Sequence, residues 1–188
     1  VRMLANLGAN VIIGYNKGKD RAEHLLSEIE GNGHSILQMT LEDGLSVERA
    51  AKTIKANYKK LDILVNSAGF TKPIPHNDLD ALDDELMDRM LITNIRGPFA
   101  VIRALRPLLS SGDDSVIINL SSVSGFKGSG SSIAYVACKA AIDTMSLALA
   151  RVLGPEIRVN CVSPGAVATD FVKGRDRKKL EQQAISAP

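Results

Sequence analysis

Tyr135 and Lys139 stand four residues apart in Tyr135-Val136-Ala137-Cys138-Lys139, a spacing that puts two side chains on one face of a helix. An ammonium close to a phenol favours the phenolate and lowers the tyrosine pKa toward working pH. Such a tyrosine can give a proton to a carbonyl oxygen or take one from an alcohol. Alone, the pair says little, because Tyr-x-x-x-Lys arises by chance in many helices. Upstream, Ile118-Asn119-Leu120-Ser121-Ser122-Val123-Ser124-Gly125 reads as a strand opening into a loop of small residues, with Ser122 13 residues before Tyr135. A hydroxyl there could hold a substrate oxygen as its charge develops. Serines at a strand end also commonly satisfy backbone groups, so the segment has a plainer use as well.

For these side chains to meet, a strand end and a helix must be brought together, and the patterning supplies both. Strands are expected at Asn10–Tyr15, Ser35–Met39, Leu61–Asn66, Ser115–Leu120 and Glu156–Val162. Helices are expected over Asp20–Glu30, after an N-cap at Ser46, over Asp83–Leu109 with a bend near Gly97-Pro98, and over Ser132–Leu153. In the first of these, Ala22, Leu25, Leu26 and Ile29 fall at i, i+3, i+4 and i+7; in the second, Val47, Ala50, Ala51, Ile54 and Tyr58 line one face. The tail Arg175–Gln183 is polar and helix-prone, and its charges Arg175–Lys179 fit a solvated face. Alternation of strand and helix, with strands apolar on both sides, argues for a parallel sheet covered by helices. In such sheets ligands sit at the carboxyl ends of strands, which directs attention to the loops Ser67–Asp80 and Ser163–Gly174.

Taken together, these segments resemble the short-chain dehydrogenase/reductase superfamily, and most closely its 3-oxoacyl-carrier-protein-reductase-like branch. Leu61-Asp62-Ile63-Leu64-Val65-Asn66-Ser67-Ala68-Gly69 resembles the family's Asn-Asn-Ala-Gly strand end, Thr93-Asn94-Ile95-Arg96-Gly97 the segment with its helix asparagine, and Ser163-Pro164-Gly165 through Thr169 its Pro-Gly loop. The resemblance implies a Rossmann-type doubly wound parallel sheet in three α/β/α layers, forming one NAD(P)-binding domain over residues 1–188. It also implies roles. Tyr135 would be the general acid/base, Lys139 would lower its pKa and hold the nicotinamide ribose, Ser122 would orient the substrate oxygen, and Asn94 would anchor a water of the proton relay. Asn66, Ala68 and Gly69 would line the adenosine-ribose side of the cofactor, and Pro164, Gly165, Val167 and Thr169 would bracket the nicotinamide. The expected reaction interconverts a carbonyl and a secondary alcohol by hydride transfer, the cofactor carrying the hard step. A 3-oxoacyl thioester, a sugar and a xenobiotic carbonyl compete as substrates, and a non-catalytic cofactor-binding regulator or scaffold is the alternative from another class.

The chain departs from the family pattern at Ser67, where a second asparagine is usual, and at Thr40, where an aspartate commonly meets the adenine. The strand ending Gly14-Tyr15-Asn16-Lys17 has no carboxylate at Tyr15, where NAD-selective relatives place an acid for the ribose 2′-hydroxyl. With Lys17 and Lys19 nearby, a preference for NADP(H) is expected. The glycine turn Thr-Gly-x-x-x-Gly-x-Gly and the strand before it have no counterpart, residues 1 to 8 resembling the end of the first helix; a C-terminal strand is wanting too. In the order 3-2-1-4-5-6 the first strand lies between the second and the fourth. A polypeptide of residues 1–188 by itself is therefore expected to leave the strands at Val11–Tyr15 and Ile63–Asn66 short of a neighbour, and not to bind NADPH. A homotetramer is expected from the resemblance. The helix Ser132–Leu153 is apolar nearly all round, so Ile142, Met145, Leu147, Leu149 and Val152 need a second buried surface.

Composition narrows the remaining classes. The formal charge of +2 points to neither nucleic acid nor an anionic membrane, and no apolar run was expected to reach the ~20 residues of a membrane span. Residues 1 to 8 lack the pattern of a secretory leader, and two cysteines suit a reducing compartment, so a cytoplasmic location is expected. His24, His34 and His76 share no metal-ligand spacing and are read as solvated surface residues, with no metal site. Gly125, Gly128 and Gly130 suggest a flexible active-site loop, Cys138 a small core residue, and Asn119-Leu120-Ser121 a glycosylation sequon hidden in a buried strand.

Overall fold

The computed structural model describes residues 1–167, 169, 171–172, 176, 178 and 180–181. Most of the expected tail helix Arg175–Gln183 lies outside them. The chain forms two compact units, Val1–Tyr58 and Lys59–Pro188.

In the first unit the order is α1 (Arg2–Asn6), β1 (Ile12–Tyr15), α2 (Lys19–Ser27), β2 (Ser35–Gln38) and α3 (Gly44–Asn57). β1 and β2 are parallel, Ile12 opposite Ser35 and Tyr15 opposite Gln38. Ala5, Ile13, Ala22 and Ile29 form the core, with Val11, Leu25, Leu26 and Ile36 packed against it, so the helical-period residues do face inward. The cap of α3 differs from expectation. Asp43, three residues before Ser46, is the N-cap and accepts from the Leu45 N–H at 2.9 Å; a carboxylate suits the positive helix start. Ser46 lies inside the helix and its Oγ accepts from the Thr40 N–H. His34 is also more than a solvated residue: its Nδ1 accepts from the Val11 N–H at 3.1 Å, and its Nε2 lies 2.9 Å from the Glu30 carbonyl.

The second unit runs β3 (Ile63–Asn66), α4 (Asp84–Leu91), a π-helical turn (Ile92–Arg96), α5 (Gly97–Leu109), β4 (Ser115–Leu120), α6 (Ser124–Lys127), α7 (Ile133–Leu153) and β5 (Ile157–Val162). Its strands form a parallel sheet in the order β3-β4-β5. Parallel strands alternating with helices make this the α/β fold that the patterning called for. β4 is buried along most of its length, but Ile63 and Val65 of β3 remain 37% and 42% exposed. The expectation of strands covered on both faces is not met at β3, which is bonded to β4 alone among the described residues, nor along β5, where Val162 is exposed.

Two helices also depart from expectation. The long helical stretch is broken at Ile92–Arg96, before Gly97-Pro98, where the Gly97 N–H reaches back five residues to the Ile92 carbonyl. Pro98 has no N–H to offer the Asn94 carbonyl four residues earlier, which removes a rung of the ordinary ladder at this point. α7, with 21 residues and a mean hydropathy of 1.4, has the length and composition of a membrane span, which the sequence did not suggest. Of its most apolar 18-residue stretch 28% is buried. It packs on β5 and α6, buries Ala134, Cys138, Ile142 and Ser146, and engages its own charged residues Lys139 and Asp143 in polar contacts.

Candidate active site

Ser132 caps α7, its Oγ accepting from the Tyr135 N–H at 3.2 Å, and so sets where the helix starts and which face Tyr135 takes. The tyrosine ring packs on the buried cluster of Met90, Ala134 and Cys138, together with Phe70 and Ile95. It meets the Phe171 ring at 6.0 Å between centroids. One turn on, Lys139 is only 7% exposed, with its Nζ 5.5 Å from the Tyr135 ring centroid and donating to the Leu120 carbonyl at 2.6 Å. Buried lysines are rare without a partner. Burial pushes the Lys139 ammonium below its ordinary value of 10.5, opposed by the charge of Asp143 among others. Cys138 is fully buried, as expected of a small core residue, in the cluster on which the Tyr135 ring packs, and burial pushes its thiol up to about 11, so it stays protonated and unreactive.

β4 delivers the serines. Ser121 Oγ donates to the Lys139 carbonyl, tying the strand end to α7. Ser122 Oγ accepts from the Ser124 N–H at 3.2 Å, which fits the plainer use of a strand-end serine. A hydroxyl that accepts there still has its own hydrogen to donate to a substrate oxygen. Of the glycines after it, Gly125 lies in a helical turn, while Gly128 and Gly130 lie in the loop beyond it. Ser124–Lys127 is a helical turn ended by Gly128 at φ +65°, and Gly125 is pressed against α7, where a Cβ would stand 2.7 Å from the Ala140 nitrogen. Close approach to a helix, not mobility, accounts for the small residue.

The Pro-Gly segment is bonded to the same place. The Ser121 N–H reaches the Val162 carbonyl at 2.8 Å and the Val123 N–H the Pro164 carbonyl at 3.1 Å. Among the described residues nothing lies within 4 Å of where a Gly165 Cβ would stand, Val167 is exposed, and the Thr169 N–H bonds to the Val167 carbonyl. Thus Ser122, Lys139 and Pro164 are brought together by direct bonds between their segments, with Tyr135 one turn from Lys139.

Asn94 sits in the π-turn, 2% exposed, and its amide is heavily used. Oδ1 accepts from the Phe70 N–H at 3.0 Å, while Nδ2 donates to the carbonyls of Phe70 and Met90, each at 2.9 Å. It fastens the loop after β3 to the helix, and Gly69 must be small because a Cβ would come within 2.9 Å of Oδ1. With both amide hydrogens taken, any water held by this side chain would have to donate to Oδ1. Asn66 reaches across the sheet, its Nδ2 donating to Asn119 Oδ1, and Asn119 donates in turn to Ser146 Oγ. This buried relay was not foreseen. Asn119 is 1% exposed, so the sequon is indeed inaccessible. Ala68 is exposed in the loop beyond β3.

In the first unit, Tyr15 ends β1, Asn16 accepts from Thr40 Oγ1 at 2.9 Å, and Lys17 is exposed without an ion-pair partner among the described residues. Lys19 pairs with Glu23 at 3.3 Å. Asp43 is occupied by its cap and by Arg49. Among the described residues no group of three metal-ligating side chains occurs.

A helix carrying a buried lysine and a tyrosine, set against a serine strand end and a Pro-Gly loop, defines a class of oxidoreductase, and comparison with known proteins agrees. The model of the short chain dehydrogenase family matches residues 1–180. A 3-oxoacyl-[acyl-carrier-protein] reductase of Staphylococcus aureus is 32% identical over 188 residues, covering 98% of this chain and 75% of its own. The structure of a short-chain dehydrogenase/reductase from Burkholderia xenovorans is similar with a TM-score of 0.85 at 32% identity, covering 100% of this chain and 76% of that one. A dehydrogenase/reductase from Sinorhizobium meliloti gives 0.83 at 33% identity, covering 97% and 71%. The chain belongs to the short-chain dehydrogenase/reductase family, whose members act on CH–OH groups with NAD(P). Within it the chain falls in the 3-oxoacyl-carrier-protein-reductase-like branch.

Proposed function

We propose that the protein is an NADP(H)-dependent reductase of a 3-oxoacyl thioester, with Tyr135 as proton donor. The observation that carries this reading is the buried Lys139 ammonium, fixed on the Leu120 carbonyl beside the Tyr135 ring. Burying a lysine next to a tyrosine, at a strand end, is costly for the fold and useful for a phenol that must ionise.

The residues present fit a nicotinamide cofactor. Lys139 donates one hydrogen bond among the described residues and has further N–H groups for a ribose, and Gly165 leaves space beside its backbone. Pro164, Gly165, Val167 and Thr169 would bracket the nicotinamide, Asn66, Ala68 and Gly69 would face the adenosine-ribose side, and Tyr15, Asn16 and Lys17 would meet the ribose phosphate. When bound, the reduced cofactor supplies the hydride. Ser122 holds the substrate oxygen by its hydroxyl hydrogen, Tyr135 passes its proton to that oxygen, and Lys139 stabilises the phenolate left behind. Asn94 holds the loop after β3 in place and offers Oδ1 to a relay water. Both units are assigned to the one cofactor-binding domain, since the family match runs across their boundary.

The preference for NADP(H) rests on Tyr15 in place of a carboxylate and on Lys17, which has no ion-pair partner among the described residues; Lys19 is held by Glu23. In the full-length protein kcat/KM should be higher with NADPH than with NADH on a 3-oxoacyl thioester, and Tyr15→Asp should move the ratio toward NADH. Equal or better use of NADH would overturn the preference. Faster reduction of sugar or xenobiotic ketones would overturn the thioester assignment, and no turnover on any ketone would favour a scaffold. A cytoplasmic location is part of this proposal, since Cys138 and Cys161 are both free thiols, as a reducing compartment leaves them.

A homotetramer is proposed as well. An open apolar groove of about 310 Å³ lies between Leu91, Ile92, Ile95, Phe99 and Met145, with Arg96 at its margin, and Leu147 and Val152 on α7 are exposed. A second copy would bury such a surface. Light scattering at micromolar concentration is expected to show an assembly larger than a monomer; a monomer alone would overturn this.

A further inference from the structure

We propose that Asp143 is a positioning residue, whose carboxylate clamps the exit of β5, and with it the Pro164-Gly165 segment, onto the helix that carries Tyr135 and Lys139. The inference rests on the functional reading above, in that this segment is taken to bracket the nicotinamide.

Asp143 lies one turn beyond Lys139 and two beyond Tyr135 on α7, so the three share a face. Its Oδ1 accepts from Cys161 Sγ at 3.1 Å and from Ser163 Oγ at 3.3 Å. Cys161 is the penultimate residue of β5, and Ser163 directly precedes Pro164. The other oxygen, Oδ2, lies over Gly125, 3.1 Å from where a Cβ would stand. One carboxylate thus reaches the catalytic helix, the turn after Ser122 and the exit of β5. Burial pushes the Cys161 thiol up, and its bond to Asp143 pushes it further, so the sulfur keeps the hydrogen it donates. The backbone bonds from Ser121 to Val162 and from Val123 to Pro164 fix the β4 side of the segment. On the α7 side Asp143 bonds Ser163 and Cys161, and Cys161 also meets Ser146 of the same helix. A hydrogen bond accepted by a charged group is strong enough to hold a loop in one place. A Pro-Gly segment free to drift would present the nicotinamide at the wrong distance from the carbonyl carbon.

The test is NADPH titration by cofactor fluorescence, with steady-state kinetics and melting curves, on the full-length protein. Asp143→Ala should raise the NADPH Kd about tenfold, and Cys161→Ala and Ser163→Ala about threefold each. Ser163→Ala should add nothing on the Asp143→Ala background, because its partner is already gone, and Cys161→Ala should add little beyond its own contact with Ser146. Asp143→Asn, which keeps an acceptor oxygen, should recover most of the affinity. Additive effects, or an Asp143→Ala variant that melts earlier yet binds NADPH normally, would overturn the clamp. Should Asp143→Ala not fold, the Cys161→Ala/Ser163→Ala double variant decides, and unchanged affinity there overturns it. Failure of the unaltered protein to bind NADPH would sink the functional reading and the clamp with it; normal binding unmoved by Asp143→Ala sinks the clamp alone.

Discussion

Tyr135→Phe should lower kcat for carbonyl reduction by about 10²–10⁴-fold, the usual loss when a positioned general acid is removed. The ring itself is retained. Phenylalanine keeps the packing on Met90, Ala134 and Cys138 and the contact with Phe171, so the melting temperature and the NADPH Kd should hardly move. That separation of kcat from folding and binding is the diagnostic outcome, and a near-normal kcat in the variant would remove Tyr135 from the mechanism. The same pair sets the pH dependence. Reduction needs the phenol protonated and the lysine charged, and rising pH removes both. Burial lowers the Lys139 pKa from 10.5, so its ammonium is lost at a lower pH than a free lysine's. Reductive kcat/KM should therefore fall on the alkaline side and begin to do so below pH 10.5, while alcohol oxidation, which needs the phenolate, should favour higher pH than reduction does.

What could be read from the sequence was whatever depends on local period and residue type. Tyr135 and Lys139 announced themselves by helical spacing, and the helix and strand that hold them fall within a residue or so of where apolar patterning puts them. Tertiary bonding was less visible. Ser46 looked like a cap because serine often is one, but Asp43 precedes it and wins the position with a charge that the helix start favours. The break does fall near Gly97-Pro98, but its π form was not legible, because the missing N–H acts on the carbonyl four residues back and the ladder opens around Asn94. His34 looked like a surface residue because nothing in the sequence reports that Val11 will come within reach. The Asn66–Asn119–Ser146 relay depends on strand register and on which helix face meets the sheet, neither of which the spacing of these residues discloses. Asp143 escaped notice for a similar reason. It reads as one charge on an apolar helix until Cys161 and Ser163 are seen beneath it.

Gly125→Ala should damage both folding and catalysis, although it adds one methyl group. That methyl would stand 2.7 Å from the Ala140 nitrogen, 2.9 Å from the Lys139 carbonyl carbon and 3.1 Å from Asp143 Oδ2. The first two are backbone atoms of α7 and cannot rotate aside, so α6 and α7 must separate. Overpacking of this kind costs about 1–3 kcal/mol, enough for a fall of several degrees in melting temperature. The displaced parts are the ones that do the chemistry: Ser122 precedes α6, and Lys139 sits at the contact. A shift approaching an ångström there can cost about 10²-fold in rate, and a comparable loss in kcat/KM is expected. Gly128 supplies the control. It has open space where a Cβ would go but a left-handed φ of +65°, so Gly128→Ala should lose about 1–2 kcal/mol of stability by conformational strain and keep kcat/KM nearly intact. Gly128→Asn should recover part of that stability, since asparagine tolerates the left-handed region better than alanine. If Gly125→Ala matched the unaltered protein in both melting and kcat/KM, the contact between α6 and α7 would not be what holds Ser122 and Lys139 in register.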